Sequence, residues 1–118
     1  MPRFVLLEHT GHPDDPAGRH YDLLLEAGEA CRTWRLAEIP AAGGPPVAAI
    51  PLPDHRLVWL DRLEGEVSGG RGFARRLDAG AYEWLADESL ESRIEVRLQG
   101  ETLNGRLTIH AASATLCD

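Results

Sequence analysis

His20-Tyr21-Asp22 is the tripeptide whose residue types and spacing could do chemistry at a single point. On a strand, side chains two apart leave the same face. His20 and Asp22 would project together, while Tyr21, Leu23 and Leu25 go to the other face and pack. An imidazole beside a carboxylate suits Mn, Zn or Fe better than Ca. His9 ends the preceding apolar run and supplies a third ligand if the two strands are neighbours. The connecting segment, Thr10 to Arg19, would then be a loop beside the ion, with His12, Asp14 and Asp15 as alternative ligands. Such a triplet is common by chance, and by spacing alone a solvated or hydrogen-bonded surface pair is its commoner meaning, with the metal site left open.

The second cluster is Arg71, Arg75 and Arg76, inside SGGRGFARR. Glycines let a backbone approach an anion, and a guanidinium forks bidentately onto phosphate. No Lys-Ser/Thr follows the glycines, so this is not a nucleotide-binding P-loop. The same residues also read as a strand face balanced by Glu64, Glu66 and Asp78. The third feature is Asp54-His55-Arg56, placed in a loop after a Pro-rich segment. A loop histidine there is either solvated or, beside a metal and a phosphate, a general acid or transition-state donor. Trp34, Trp59 and Trp84 sit singly and read as core. Cys31 and Cys117 read as reduced thiols.

The elements that must position these groups read as mostly β. Of the 118 residues, 43% are hydrophobic and 26% charged, which predicts one domain over residues 1–118. Twelve Gly and eight Pro favour turns over long helices. The pattern predicts an all-β, mainly antiparallel fold: a small closed β-barrel of about eight short strands with little helix. Strands are expected at 3–9, 20–27, 30–37, 56–60, 63–67, 73–78, 81–85, 93–98 and 107–110. Gly28-Glu29, Ala79-Gly80 and Asn104-Gly105 are the expected hairpin turns. Residues 40–53 hold five prolines and are a loop, or an edge strand at best. A short helix fits 87–91, and the tail after Ala111 is expected to fray.

Charge narrows the function. The net charge is −7, and all 12 cations are Arg. That excludes an extended basic clamp on nucleic acid but leaves room for a local Arg grip on one phosphate. No apolar run approaches the length of a membrane span. Met1-Pro2-Arg3-Phe4 has no secretory pattern, so the expected location is cytoplasmic.

Taken in order, these motifs resemble the 3′-phosphoesterase domain of bacterial DNA ligase D. The resembling pieces run from Phe4–His9 through His20-Tyr21-Asp22, Thr33-Trp34 and Asp54-His55 to Glu64-Gly65. They continue with Ser68 to Gly72, Asp78-Ala79-Gly80-Ala81-Tyr82-Glu83 and the stretch from Gly100 to Leu107. The resemblance implies a small closed β-barrel that holds Mn²⁺, or Zn²⁺ or another transition metal, through His9, His20 and Asp22. It implies removal of a 3′-terminal phosphate or ribonucleotide from a DNA or RNA-tailed primer end, with His55 assisting at the phosphate. It also implies ligase or end-joining proteins as partners in trans. The chain would be a stand-alone, divergent member. The family's phosphate-binding Arg falls on Leu24, a Lys near Glu38 and a Tyr on Trp59. Arg71, Arg75 and Arg76 are then the expected replacement grip.

Two other readings stand beside this one. The first is a metal- and DNA-end-binding module in which catalysis has decayed. The second is a cupin-like non-haem iron enzyme, with His55 or His110 completing a facial triad.

Overall fold

In the computed structural model, nine strands form one sheet in which all named pairings are antiparallel. The structure describes residues 2–13, 15–67, 70, 72–88 and 93–118. Of residues 12, 15–17 and 88 it describes the backbone alone. The strands are β1 (Arg3–His12), β2 (Asp15–Ala27), β3 (Ala30–Leu36), β4 (Val47–Arg56), β5 (Glu64–Glu66), β6 (Phe73–Glu88), β7 (Arg93–Gly100), β8 (Asn104–His110) and β9 (Ser113–Cys117). One 3₁₀ turn, Leu57–Leu60, is the helical element among the described residues. The sheet runs β1-β2-β3-β4-β9-β8-β7-β6, and β6 returns to β1 to close a ring of eight strands. The small β5 hangs on the free side of β6.

The apolar pattern explains why the sheet has two cores. Phe4-Val5-Leu6-Leu7 and Leu23-Leu24-Leu25 are apolar at consecutive positions, so both faces of β1 and β2 need cover. Phe4, Leu6, Leu23 and Leu25 point into the ring with Trp34, Leu36, Tyr82 and Val96. Val5, Leu7 and Leu24 point outward and form a second core with Cys31, Leu60 and Ala74. The 3₁₀ turn supplies the lid of that second core through Leu60, which is buried. Arg76 ties it down by donating from Nη1 to the Leu60 carbonyl at 3.2 Å. Burial of one such leucine stabilises by about 1.5–3 kcal/mol.

Several expected elements are corrected. The segment expected as a loop is largely paired strand: β1 runs on to His12 and β2 starts at Asp15, with a register shift between Thr10 and His12. Of the strand expected at 56–60 only Arg56 is extended, as the end of β4, because Leu57–Leu60 coils to drop Leu60 into the second core. Asp54 and His55 lie on β4 rather than in a loop. That strand is paired to β3 along its length but to β9 only at Val47 and Ala48, so Pro51 and Pro53 fall on a strand that is mostly edge. Ala79-Gly80 is not a turn: β6 runs unbroken from Phe73 to Glu88. Gly80 is needed for close approach, since a Cβ there would strike the Gln99 carbonyl of β7. Asp87 belongs to β6, and most of the helix expected at 87–91 lies outside the described residues.

The Asn104-Gly105 turn is displaced as well. Asn104 and Gly105 pair with Gln99 and Leu98 inside the β7–β8 ladder. The turn falls at residues 101–103 because the buried Asp78 carboxylate gathers the amides of Glu101, Thr102 and Leu103. The tail does not fray. Ala111 and Ala112 take φ of 54° and 62°, as a mirror-image hairpin turn requires, and β9 then pairs with β8 and closes on β4.

Candidate active site

The outer face that carries the second core continues upward into polar groups. His9 lies opposite His20, and Leu7 lies opposite Asp22, in the β1–β2 register. The four side chains therefore share one face. Tyr21, Leu23 and Leu25 take the inner face, as the alternation predicts. Nε2 of His20 lies 3.0 Å from Nδ1 of His9, and the two rings meet edge to face. That same Nδ1 is 3.7 Å from Oδ2 of Asp22. The ligand-type atoms of His9, His20 and Asp22 all lie within 4.8 Å of one another.

The surroundings favour an ionised carboxylate. Asp22 is only 4% exposed. Burial works to raise its pKa, but the His9 ring and the charges of Arg35, His20 and His55 outweigh that and hold it below its ordinary value. Arg35 sits opposite Asp22 in the β2–β3 register, with Nε 3.5 Å from Oδ1. That separation is an ion pair rather than a hydrogen bond. Both atoms are buried, and neither has a hydrogen-bond partner among the described residues. A buried carboxylate oxygen left in this state costs free energy unless something else engages it. Two imidazoles and a carboxylate with a spare buried oxygen are a donor set suited to a divalent transition cation.

His9 and Asp22 of this cluster line a cleft of about 1390 Å³. His55 lines its wall. The β3–β4 register sets His55 opposite Cys31, on the face that also carries Thr33 and Arg35. Its Nδ1 is 3.1 Å from the Pro53 carbonyl oxygen, which can only accept, so Nδ1 carries a proton. Trp59 lines the cleft too, and the Arg62 guanidinium lies 4.7 Å from its ring centre. Among the described residues three arginines line the cleft: Arg35, Arg56 and Arg62.

None of these three was expected to grip phosphate. Of the expected set, Arg71 lies outside the described residues. Arg75 is not brought to the cleft: it pairs with Glu8 at 3.2 Å, and Glu8 takes the face opposite His9. Arg76 is spent on the Leu60 carbonyl. Leu24 does share the face of His20 and Asp22, but it is fully buried in the second core. Among the alternative ligands, Asp14 lies outside the described residues, as do the side chains of His12 and Asp15. His110 ends β8 opposite Ser113 and does not line the cleft. Arg35 is the residue that the sequence reading missed. Its only signal was the hairpin register that carries β3 back past Asp22.

No curated protein matches the chain as a relative. Residues 10–111 match the DNA Ligase D 3′-phosphoesterase domain. The matched segment contains His20, Asp22, Arg35 and His55, and His9 stands one residue before it. That match covers most of the chain, and it carries a general role in DNA end processing as a phosphoesterase. From its ring of antiparallel strands to its motif order, the chain belongs to the family of DNA ligase D 3′-phosphoesterase domains.

Proposed function

We propose that this chain hydrolyses a terminal phosphoester at the 3′ end of a DNA primer, releasing a phosphate or a ribonucleotide and leaving a 3′-hydroxyl. A divalent cation, Mn²⁺ first and Zn²⁺ or another transition metal second, is held by His9, His20 and Asp22. The observation that carries this reading is their convergence within 4.8 Å of one another beside the cleft that His9 and Asp22 line, with a buried Asp22 oxygen that lacks a hydrogen-bond donor among the described residues. A cation held there supplies Lewis acidity toward a phosphoryl oxygen.

The protein's own groups do the rest. His20 and Asp22 are fixed by the β1–β2 ladder, so the donor set is formed before substrate arrives. Asp22 stays ionised because its neighbours are cationic or can become so. His55 has Nδ1 occupied by Pro53, which leaves Nε2 for the substrate. Water adds to phosphorus as the bond to the 3′ oxygen breaks; the departing oxygen takes a proton, which a protonated His55 donates from Nε2, and the proton of the added water leaves to solvent. The cleft is larger than the ~300–1,000 Å³ of ordinary small-ligand sites. That size suits a strand end with its terminal nucleotide. The net charge of −7 suits contact with few phosphates rather than a long tract.

A second reading is favoured by one observation. Leu24 is fully buried where the family carries its phosphate-binding Arg, so the chain is alternatively a metal- and DNA-end-binding module without turnover. The deciding experiment is Mn²⁺-dependent release from primers ending in a 3′-phosphate or a single ribonucleotide, comparing wild type with Asp22→Ala. Release by wild type above the variant supports hydrolysis. End binding by both, with no release by either, supports the module.

A further inference from the structure

We propose that Arg35, on β3, is the residue that grips the terminal phosphate in this chain. This rests on the reading of the cleft as a 3′-phosphoesterase site. Three observations lead to it. First, of the cations expected to do this, the two among the described residues are committed elsewhere: Arg75 to Glu8, and Arg76 to the Leu60 carbonyl. Second, Arg35 lines the cleft and stands across the β2–β3 ladder from Asp22, which places it beside the histidine–carboxylate cluster. Arg62 is stacked on Trp59, and Arg56 lies at the end of β4, beyond His55. Third, Arg35 is underused. Among the described residues its one ion pair is through Nε, at a separation too long for a hydrogen bond, and its side chain is 29% exposed.

A guanidinium is planar and offers five donors in a fixed fork. With Nε directed at Asp22, the two terminal nitrogens remain for the paired oxygens of a phosphate. Arg35 therefore bridges the carboxylate that holds the cation and the anion that the cation attracts. The phosphate grip has moved one strand over, from the Leu24 position on β2 to β3, so the outer face of β2 can be packed with leucine.

The test uses the whole chain and two primer–template duplexes that differ only in a 3′-phosphate against a 3′-hydroxyl. Affinity for each is measured in Ca²⁺ to suppress turnover, and Mn²⁺ affinity is measured separately. Wild type is compared with Arg35→Gln, Arg35→Lys and the remote control Arg75→Ala. Arg35→Gln should bind the 3′-phosphate end about 10- to 100-fold more weakly, the weight of a charged hydrogen-bond pair. It should bind the 3′-hydroxyl end and Mn²⁺ as wild type does. Arg35→Lys should recover part of the loss, and Arg75→Ala should lose nothing. The assignment is overturned if Arg35→Gln keeps the wild-type preference for the phosphate end. It is also overturned if the variant loses Mn²⁺ affinity with equal losses on both duplexes, which would make Arg35 a positioning residue for Asp22. If wild type itself shows no preference for the 3′-phosphate end, the phosphoesterase reading fails, and this assignment falls with it.

Discussion

Asp22 and Asp78 are both aspartates on strands of the same sheet, 4% and 5% exposed, yet their surroundings are opposite. Asp78 is saturated. Its Oδ1 accepts the amides of Ala79 and Glu101, and its Oδ2 accepts those of Thr102 and Leu103. It fixes the β7–β8 turn and has no capacity left for chemistry. Among the described residues Asp22 receives no backbone amide. It faces two imidazoles and one guanidinium, and one of its oxygens lacks a hydrogen-bond donor among the described residues. One buried carboxylate is spent on the fold, and the other is held in reserve. The difference separates a structural anion from a ligand more sharply than burial alone does.

The largest effect expected from this contrast is on activity. Asp22→Asn should cut 3′-end hydrolysis by roughly a thousandfold or more, several kcal/mol of transition-state stabilisation. Its stability should change by no more than about 1 kcal/mol, because no amide is orphaned. Activity and urea melts on the same preparation check both halves. Asp78→Ala should do the reverse. Four amides lose their acceptor, at an expected cost of about 3–5 kcal/mol, while turnover per folded molecule persists. Melts that rank the two variants the other way would break the contrast.

A smaller effect is expected from pH. The Asp22 pKa is lower in the folded chain than the ~3.9 of an unfolded aspartate. Between those two values the unfolded chain binds more protons, so stability rises with pH through that window. The contribution is complete above the unfolded value and is lost as pH falls through the folded one. Urea melts from pH 7 to pH 3 should therefore fall more steeply for wild type than for Asp22→Asn. Parallel curves would mean that the cationic neighbours of Asp22 do not hold its charge.

Much of this arrangement was legible in the chain itself. The two-residue spacing of His20 and Asp22 fixes a common face, and consecutive leucines demand cover on both faces of β2. Five prolines over 40–53 signal an edge, and β4 is one for most of its length. What escaped were features decided by partners far along the chain. Gly80 and Asn104-Gly105 have local turn chemistry, but the β7 backbone and the Asp78 carboxylate place the bends elsewhere. β9 follows a turn built on Ala111 and Ala112, which carry no turn signal. Arg35 escaped for the same reason. A lone Arg on a strand says nothing until two hairpins set it across from Asp22. Density of charge drew attention to Arg75 and Arg76, but density does not report which face a side chain takes or what already holds it.

The claim on which the rest depends is that His9, His20 and Asp22 hold a divalent cation. Crystals of the whole chain soaked in Mn²⁺ test it directly through the anomalous signal. The account predicts one strong peak beside the cleft, at ligand distance from a nitrogen of His9, a nitrogen of His20 and an oxygen of Asp22, and its loss in Asp22→Asn. A peak seated instead at Asp54 or Glu66 on the cleft wall, or no peak at the histidines at saturating Mn²⁺, would contradict it.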